Sequence, residues 1–230
     1  MIQTAREWLR AARSVVALTG AGISAESGVP TFRGAGGLWR NFRPEDLATP
    51  QAFARDPKLV WEWYDWRRQL IAQVQPNAGH CALARAGVKV VTQNVDGLHD
   101  RAGSSDVVKL HGDIWVLRCV GCGESRRDET VPLAELPPRC ACGGMLRPGV
   151  VWFGEALPPR EWQAAEDAVA RCDVLLVVGT SAVVYPAAGL VSLARAARVI
   201  EVNMEETPVS RLADASLRGK AGEILPELLR

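Results

Sequence analysis

Four of the six cysteines in this chain lie in two close pairs that are separated by 17 residues. The first pair is Cys119-x-x-Cys122 and the second is Cys140-x-Cys142. Two such pairs bring four thiolates together, and tetrahedral Zn²⁺ is the usual ion at a site of this kind. Four protein ligands leave no open coordination position, so the spacing predicts a structural zinc rather than a catalytic one. A redox-active dithiol is the alternative chemistry for these cysteines.

A second group of reactive side chains follows two short apolar runs that have the length of buried strands. His111 comes directly after residues 107–110. The run 88–92 is followed by the polar side chains of Gln93, Asn94 and Asp96. Open α/β sheets bind their ligands at the carboxyl ends of their strands, and histidine suits a general base because its ordinary pKa is close to neutral. An isolated histidine more often has a structural role, but this position favours catalysis.

Glycines punctuate the first part of the chain. Gly20 and Gly22 end the first apolar run and precede a predicted helix start, which is typical of a backbone cradle for a phosphate. Their spacing departs from G-x-G-x-x-G, so a tight turn without a ligand is an equally good interpretation. The glycine-rich residues 34–37 indicate a loop that closes over a ligand, with Phe32 covering a ring and Arg33 a phosphate. A flexible connector is the alternative there.

Two later apolar runs also end in residues that suit a dinucleotide. Residues 174–178 are followed by the Gly-Thr-Ser stretch 179–181, whose hydroxyl groups suit a phosphate. Asn203 follows residues 199–202, where dinucleotide-binding folds often place a group that bonds the adenosine ribose. A simple strand-ending turn is the alternative at both places.

The elements that must position these residues alternate between apolar strands and helices. The predicted strands are residues 14–19, 88–92, 107–110, 174–178 and 199–202, and the predicted helices are residues 4–12, 57–74, 78–86, 159–170, 186–197 and 219–229. This alternation predicts an α/β fold with a doubly wound parallel sheet. Residues 118–147 lack it, so we expect a small inserted module there that contains the four cysteines.

The composition limits the classes of function. The chain has 230 residues, of which 48% are hydrophobic and 23% charged, and its formal net charge is +1. Such a protein has no overall field that attracts nucleic acid or a membrane. The N-terminus lacks the apolar core of a signal peptide, and no apolar run approaches the ~20 residues that span a bilayer. We therefore expect a soluble cytoplasmic protein with neither a nucleic acid partner nor a membrane partner.

Taken together, the motifs resemble those of the sirtuin family, in the same order and over nearly the whole chain. The stretches that carry the resemblance are residues 20–24, 30–33, 92–96, 111–112, 179–181 and 202–203, with the four cysteines. The resemblance implies one catalytic domain, residues 1–230, with a Rossmann-like sheet and an inserted zinc-binding domain. The NAD-binding part would comprise approximately residues 1–32, 76–115 and 150–230, and the small part residues 33–75 with the zinc module 116–149.

The resemblance also implies individual roles. His111 would be the base that activates a ribose hydroxyl, and Asn94 and Asp96 would position the nicotinamide ribose and carboxamide. The acyl oxygen of an acylated lysine would attack the ribose carbon that bears nicotinamide, and the products would be free lysine, nicotinamide and an O-acyl-ADP-ribose. The substrate peptide would add as a strand between residues 151–155, with Val151, Trp152 and Phe153 as substrate-binding residues, and the segment near residues 183–184. The residues expected to bind NAD are Gly20, Ala21, Gly22, Ala25, Glu26, Thr31, Phe32, Arg33, Trp39, Gln93, Asn94, Asp96, Gly179, Thr180, Ser181, Asn203, Met204, Glu205 and Ala221.

Tyr64 and Arg67 are three residues apart in a predicted helix, so they share one face. An arginine beside a phenol can bind a carboxylate by charge and by hydrogen bonds. The pair resembles the Tyr-x-x-Arg of the sirtuin subgroup that removes succinyl and malonyl groups, which predicts these activities besides deacetylation. Without the family context, a surface arginine over an aromatic helix would be the better interpretation.

Other functions share parts of this pattern. A mono-ADP-ribosyltransferase would need the same NAD site and the same His111 and Asn94. A zinc-ribbon module for nucleic acid is disfavoured by the near-zero net charge. A simple dehydrogenase is disfavoured by the glycine spacing.

Overall fold

The main sheet is parallel and lies at the centre of the computed structural model, which describes residues 1–32, 37–38 and 43–230. The strands of this described part are β1 (Val15–Thr19), β2 (Lys89–Thr92), β3 (Val107–Lys109), β4 (Gly112–Cys119), β5 (Ser125–Arg127), β6 (Leu146–Val150), β7 (Val174–Val178), β8 (Arg198–Asn203) and β9 (Ala215–Arg218). The main sheet has the order β3-β2-β1-β7-β8-β9, and each neighbouring pair is parallel. The predicted Rossmann-like parallel sheet is confirmed.

The strand order reverses between β1 and β7. The chain runs from β1 outward through β2 to β3, and later returns to the other side of β1 with β7, β8 and β9. At such a switch point the loops after the two central strands diverge and leave a crevice, which is where open α/β sheets bind their ligands. The topology therefore puts the loops after β1, β2 and β7 at one edge of the sheet.

Some helices lie on the two faces of the main sheet, and others pack in a third core beside it. The helices are α1 (Ile2–Ala11), α2 (Ala21–Ala25), α3 (Pro44–Leu47), α4 (Pro50–Arg55), α5 (Pro57–Gln73), α6 (Ala78–Arg85), α7 (Leu98–Arg101), α8 (Pro159–Arg171) and α9 (Ala221–Leu228), within the described residues. Successive residues of β7 point to opposite faces, as a strand requires. Leu175 packs in a core with Val169 of α8, whereas Leu176 packs in a separate core with Leu83 of α6 and Leu225 of α9.

A smaller antiparallel sheet, in the order β5-β4-β6, lies against α5. Trp61 of α5 is fully buried in a third core, and its indole Nε1 donates to the Leu146 carbonyl oxygen of β6 at 2.7 Å. Strand β4 starts directly after His111 and ends at Cys119, so one strand joins the predicted catalytic histidine to the predicted metal ligands.

The prediction was wrong at some elements. Residues 186–197 were expected to form an α-helix, but the structure has a 3₁₀-helix, Ala187–Leu193. Gly189, Val191 and Ser192 lie in the middle of that segment, and each of them favours the α-helix less than alanine does. Strand β9 and the short helices α3, α4 and α7 were not predicted, since each is only four to six residues long. None of the helices in the described part is long and apolar enough to cross a membrane.

Candidate active site and metal centre

The turns after β1 and β7 touch backbone to backbone at the switch point. The Gly22 N–H donates to the Gly179 carbonyl oxygen at 2.7 Å. A Cβ at Gly22 would lie 2.7 Å from the Gly179 Cα, and a Cβ at Gly20 would lie 2.7 Å from the Thr180 Cβ. Gly179 also has a φ of 58°, a left-handed conformation that glycine adopts without strain. Close packing of the two turns thus requires these glycines, and it places backbone at the crevice with no side chain in the way.

Ser24 connects two polar residues that follow β2. Its hydroxyl donates to Asp96 Oδ2 at 2.8 Å and accepts from Asn94 Nδ2 at 3.1 Å. Asn94 Nδ2 also donates to the Gly20 carbonyl oxygen at 3.1 Å. Asp96 Oδ1 accepts from the Leu98 N–H, while burial raises the pKa of the Asp96 carboxyl. Asn94 and Asp96 are therefore held rigidly beside the glycine turn.

His111 lies at the carboxyl end of β3 and is oriented by one backbone group. Its Nδ1 is 3.0 Å from the Gln93 carbonyl oxygen. A carbonyl only accepts, so Nδ1 carries the proton and the Nε2 lone pair is available to a ligand. Burial lowers the pKa of His111 from 6.5, and the bond to the Gln93 carbonyl opposes this shift. The side chain of Gln93 donates to Thr180 Oγ1 at 3.0 Å, which joins the ends of β2 and β7.

Two further histidines are buried behind this edge of the sheet. The His80 and His99 rings meet with centroids 4.9 Å apart. Burial lowers the pKa of His80 to about 4 and that of His99 to about 3, so both rings are neutral at neutral pH. His99 Nε2 is 3.0 Å from the Thr19 hydroxyl, and His80 Nε2 is 3.4 Å from the Ser24 hydroxyl. These contacts give both histidines a role in packing and hydrogen bonding.

The residues expected to bind the adenosine half lie around the ends of β7 and β8. Asn203 Nδ2 donates to the Thr180 carbonyl oxygen at 2.8 Å, which fixes the amide beside the β7 turn. Glu26 Oε1 accepts from the Gly222 N–H at 2.9 Å, next to Ala221 at the start of α9. Five of the residues expected to bind NAD are exposed: Ala25, Glu26, Ser181, Met204 and Glu205. Arg33 and Trp39 lie outside the described residues.

Tyr64 and Arg67 are both buried, contrary to a simple surface position. The Arg67 guanidinium carbon lies 4.8 Å from the Phe32 ring centroid and 4.9 Å from the Trp63 ring centroid. Burial lowers the pKa of Arg67 and raises that of Tyr64. No carboxylate of a described residue lies within 4.0 Å of the Arg67 guanidinium. The predicted pair thus forms an aromatic-walled site whose cation interacts with the Asp96 carboxylate only from beyond ion-pair distance.

The segment after β6 already uses its N–H groups within the protein. The Val151 N–H donates to the His111 carbonyl oxygen and the Phe153 N–H donates to the Ala48 carbonyl oxygen, both at 2.9 Å. The Trp152 N–H donates to Glu155 Oε2 at 2.8 Å. In this conformation the segment offers a peptide carbonyl acceptors rather than donors. The Val151 bond also ties the expected peptide site directly to His111.

The four predicted metal ligands come together. Their sulfur atoms all lie within 4.8 Å of one another, with Cys119 and Cys142 3.5 Å apart and Cys122 and Cys140 3.8 Å apart. Zn–S bonds of about 2.3 Å in a tetrahedron give sulfur separations of about 3.8 Å. The N–H groups of Gly121 and Cys122 point at Cys119 Sγ at 3.4 and 3.5 Å, as thiolate ligands favour. The set fits a structural Zn²⁺.

One central residue was missing from the predicted site. Ser24 bonds both Asn94 and Asp96, yet only its place in the glycine-rich motif was noted. Two features of the sequence indicate it. Ser24 is a hydroxyl residue two positions after Gly22, and the neighbouring predicted strand ends in the polar run 92–96. Pairing the polar residues of adjacent strand ends would have predicted the contact.

Comparison with known proteins identifies the family of this chain. Residues 20–186 match the Sir2 family, which is most of the chain. This chain belongs to the Sir2 family. A relative from Aquifex aeolicus, named NAD-dependent protein deacylase, is 58% identical over 216 residues that cover 90% of each chain.

Solved structures of Sir2 homologues have the same fold. A mutant of one homologue in complex with ADP-ribose is 51% identical, with a TM-score of 0.97 over 100% of this chain and 96% of that one. A Sir2 homologue in complex with NAD is 52% identical, with a TM-score of 0.91 over 100% of this chain and 91% of that one. The Sir2 assignment thus rests on family match, identity and fold together.

Proposed function

We propose that this chain is an NAD-dependent protein-lysine deacylase that removes acetyl and succinyl groups, and malonyl groups as well. It would release nicotinamide, free lysine and an O-acyl-ADP-ribose. The observation that carries the proposal is the bond of His111 Nδ1 to the Gln93 carbonyl, which leaves the Nε2 lone pair to act as a base in a Sir2 fold. The names of the relatives support the same activity.

NAD fits the residues around the crevice. The bare backbone of Gly20, Ala21 and Gly22, with the Gly179 turn, leaves room for phosphates. Thr180 and Ser181 would contribute hydroxyl groups on the same side, and Asn203, Met204 and Glu205 would lie along the adenosine. When bound, NAD supplies the electrophilic ribose carbon that carries nicotinamide. Asn94 and Asp96, fixed through Ser24, would orient that ribose and the carboxamide.

His111 supplies the base. Its Nε2 can accept the proton of a ribose hydroxyl, because Nδ1 already holds the other ring proton against Gln93. The resulting imidazolium would be stabilised by the same carbonyl oxygen. Burial keeps the ring neutral before the reaction, so the base is ready at neutral pH.

Acyl selectivity would come from Arg67 and Tyr64. A buried guanidinium without a carboxylate partner is unfavourable, and the distal carboxylate of a succinyl or malonyl group would compensate it. The Tyr64 oxygen accepts from Trp152 Nε1 at 3.0 Å, so its own proton is available to the same carboxylate. An acetyl group is smaller and uncharged, so it would still fit the site but gain nothing from Arg67.

The test uses purified protein with matched acetyl-lysine and succinyl-lysine peptides, with and without NAD. Peptide mass and nicotinamide release are followed together. NAD-dependent loss of succinyl that is faster than loss of acetyl is the expected result. Loss of acetyl alone would contradict the acyl assignment and leave the deacylase. ADP-ribose attached to protein, without acyl loss, would contradict the deacylase and indicate a transferase.

A further inference from the structure

Trp152 packs beside Tyr64 and is buried, with 3% of its surface exposed. Its indole Nε1 is 3.0 Å from the Tyr64 hydroxyl oxygen, and the two ring centroids are 6.5 Å apart. Phe53 packs on the Trp152 ring with a centroid distance of 5.3 Å. Since the indole is buried, it can influence a bound substrate only through a neighbouring side chain, and that neighbour is Tyr64.

In the hydrogen bond between Trp152 and Tyr64, only the indole can be the donor. An indole N–H only donates, so the Tyr64 oxygen must be the acceptor. The phenol proton is then turned away from Trp152 and needs another acceptor. Burial also raises the pKa of Tyr64, so the hydroxyl keeps that proton at neutral pH. Without Trp152, the hydroxyl could rotate and present either a proton or a lone pair.

Trp152 is held in place from two sides. The Arg147 guanidinium carbon lies 3.5 Å from the centroid of the Trp152 ring, which is a close cation–π contact. Arg147 is in turn paired with both carboxylate oxygens of Glu155, and Glu155 Oε2 accepts the Trp152 backbone N–H at 2.8 Å. One ion pair, Arg147 with Glu155, therefore holds both the ring and the backbone of Trp152, which restricts the orientation of the indole.

We propose that Trp152 is a positioning residue for acyl selectivity, which makes the Tyr64 hydroxyl a hydrogen-bond donor to the carboxylate of a dicarboxylic acyl group. Arg147 and Glu155 maintain the indole in the orientation that this requires. The inference rests on the proposed function, because it assigns Trp152 a part in recognising the succinyl group. It adds a residue whose side chain does not contact the substrate.

The experiment compares Trp152→Phe with Tyr64→Phe and with the double variant, on succinyl and acetyl peptides. Trp152→Phe removes the N–H but keeps an aromatic wall. We expect its kcat/KM for the succinyl peptide to fall about fivefold to tenfold, mainly through KM, as the loss of one oriented hydrogen bond predicts. The acetyl kcat/KM should fall less than the succinyl kcat/KM, and a circular dichroism spectrum and melting temperature close to those of the parent show that the variant is folded.

The double variant decides whether Trp152 acts through Tyr64. If it does, Trp152→Phe has no further effect on succinyl turnover once Tyr64 is Phe, because the acceptor is gone. Additive losses would overturn the proposal, and so would equal losses on both peptides in the single variant. If Trp152→Phe does not fold, Glu155→Gln loosens the indole while keeping it, and should lower succinyl turnover more than acetyl turnover.

The two proposals fail in different ways. If Tyr64→Phe and Arg67→Met leave the succinyl-to-acetyl ratio unchanged, the acyl assignment is wrong and the role of Trp152 falls with it. If those variants lower the ratio but Trp152→Phe does not, the acyl assignment stands and only the positioning role is wrong.

Discussion

The imidazole of His111 donates from Nδ1 to the carbonyl oxygen of Gln93 at 3.0 Å, across the ends of two neighbouring parallel strands. This one bond selects the tautomer that a base needs. It also makes the orientation of the ring depend on the backbone of β2 rather than on a mobile side chain, so no carboxylate partner is required. The base is therefore set by the fold of the sheet edge.

Replacing His111 by Ala should lower kcat by roughly 10²–10⁴ because the positioned base is lost. NAD binding should be nearly unchanged, since the phosphate and adenosine contacts lie elsewhere. Steady-state kinetics and calorimetric titration with NAD measure the two effects. A variant that keeps kcat within about threefold of the parent would show that His111 is not the base.

The pH dependence of kcat/KM should follow the pKa of His111 in the free folded protein. Burial lowers that pKa from 6.5, so the neutral, proton-accepting form prevails above a pH that is itself below 6.5. Activity should be full at neutral pH and fall on the acid side, with its midpoint below pH 6.5. A pH profile of kcat/KM for the peptide checks this, and an acid midpoint above 6.5 would contradict it.

Substituting Arg67 by Met should reduce kcat/KM for a succinyl peptide about tenfold to a hundredfold, as removal of a charge-assisted hydrogen bond predicts. The acetyl kcat/KM should change little. Lys58→Met on the exposed side of the same helix α5 is a matched control, since Lys58 only pairs with Glu62 on the surface. Equal losses on both peptides would remove the support for a carboxylate pocket.

Stability should decrease as the pH falls below about 6.5, partly because of the two buried histidines. In the folded protein His80 and His99 stay neutral down to about pH 4 and about pH 3, whereas in the unfolded chain they protonate near 6.5. The unfolded state therefore binds more protons in this window, at a cost of about 1.4 kcal/mol for each pKa unit. Urea titrations at pH 7, 6 and 5 measure the slope.

A His99→Gln variant provides the comparison for that slope. Glutamine does not titrate, so the free energy of unfolding should depend less on pH than in the parent, whatever its absolute value. The zinc ligands respond to acid equally in both proteins, and their effect cancels in the difference. Identical slopes would show that His99 titrates alike in both states.

Each chain should hold one zinc ion. Metal analysis should give a ratio near one, and Cys140→Ser should lower both the zinc content and the melting temperature, because four-cysteine sites contribute to folding. Cys81→Ala is the matched control, since Cys81 lies outside the cluster and should leave zinc unchanged. A full zinc content in Cys140→Ser would contradict the assigned ligands.

The sequence predicted those features that follow from local patterns. The run Val174–Val178 reads as a buried parallel strand from its composition alone, and it is one. The spacing of the paired cysteines predicted that the four sulfur atoms lie together. The order of the strands was less accessible, because it depends on which side of β1 the chain returns to. The short strand β9 is only four residues long and has no alternation strong enough to predict it.

The site was predictable at strand ends and less so between them. Asn94 and Asp96 were found from their position after β2, but their link through Ser24 depends on how two turns meet in space. The contact between Trp152 and Tyr64 joins residues 88 apart in the chain, and no spacing rule indicates it. The division into two parts, the cytoplasmic location, and the absence of nucleic acid and membrane partners stay predictions.

The contact between Gly22 and Gly179 has a consequence for descent. A Cβ at Gly179 would lie 2.3 Å from the Ile23 nitrogen, so any other residue at this position would force the two central turns apart. Selection for a folded protein alone would therefore preserve both glycines. A descendant that lost His111 and its catalytic activity would still carry both glycines. The histidine, and not the glycines, would therefore distinguish an active enzyme from an inactive homologue.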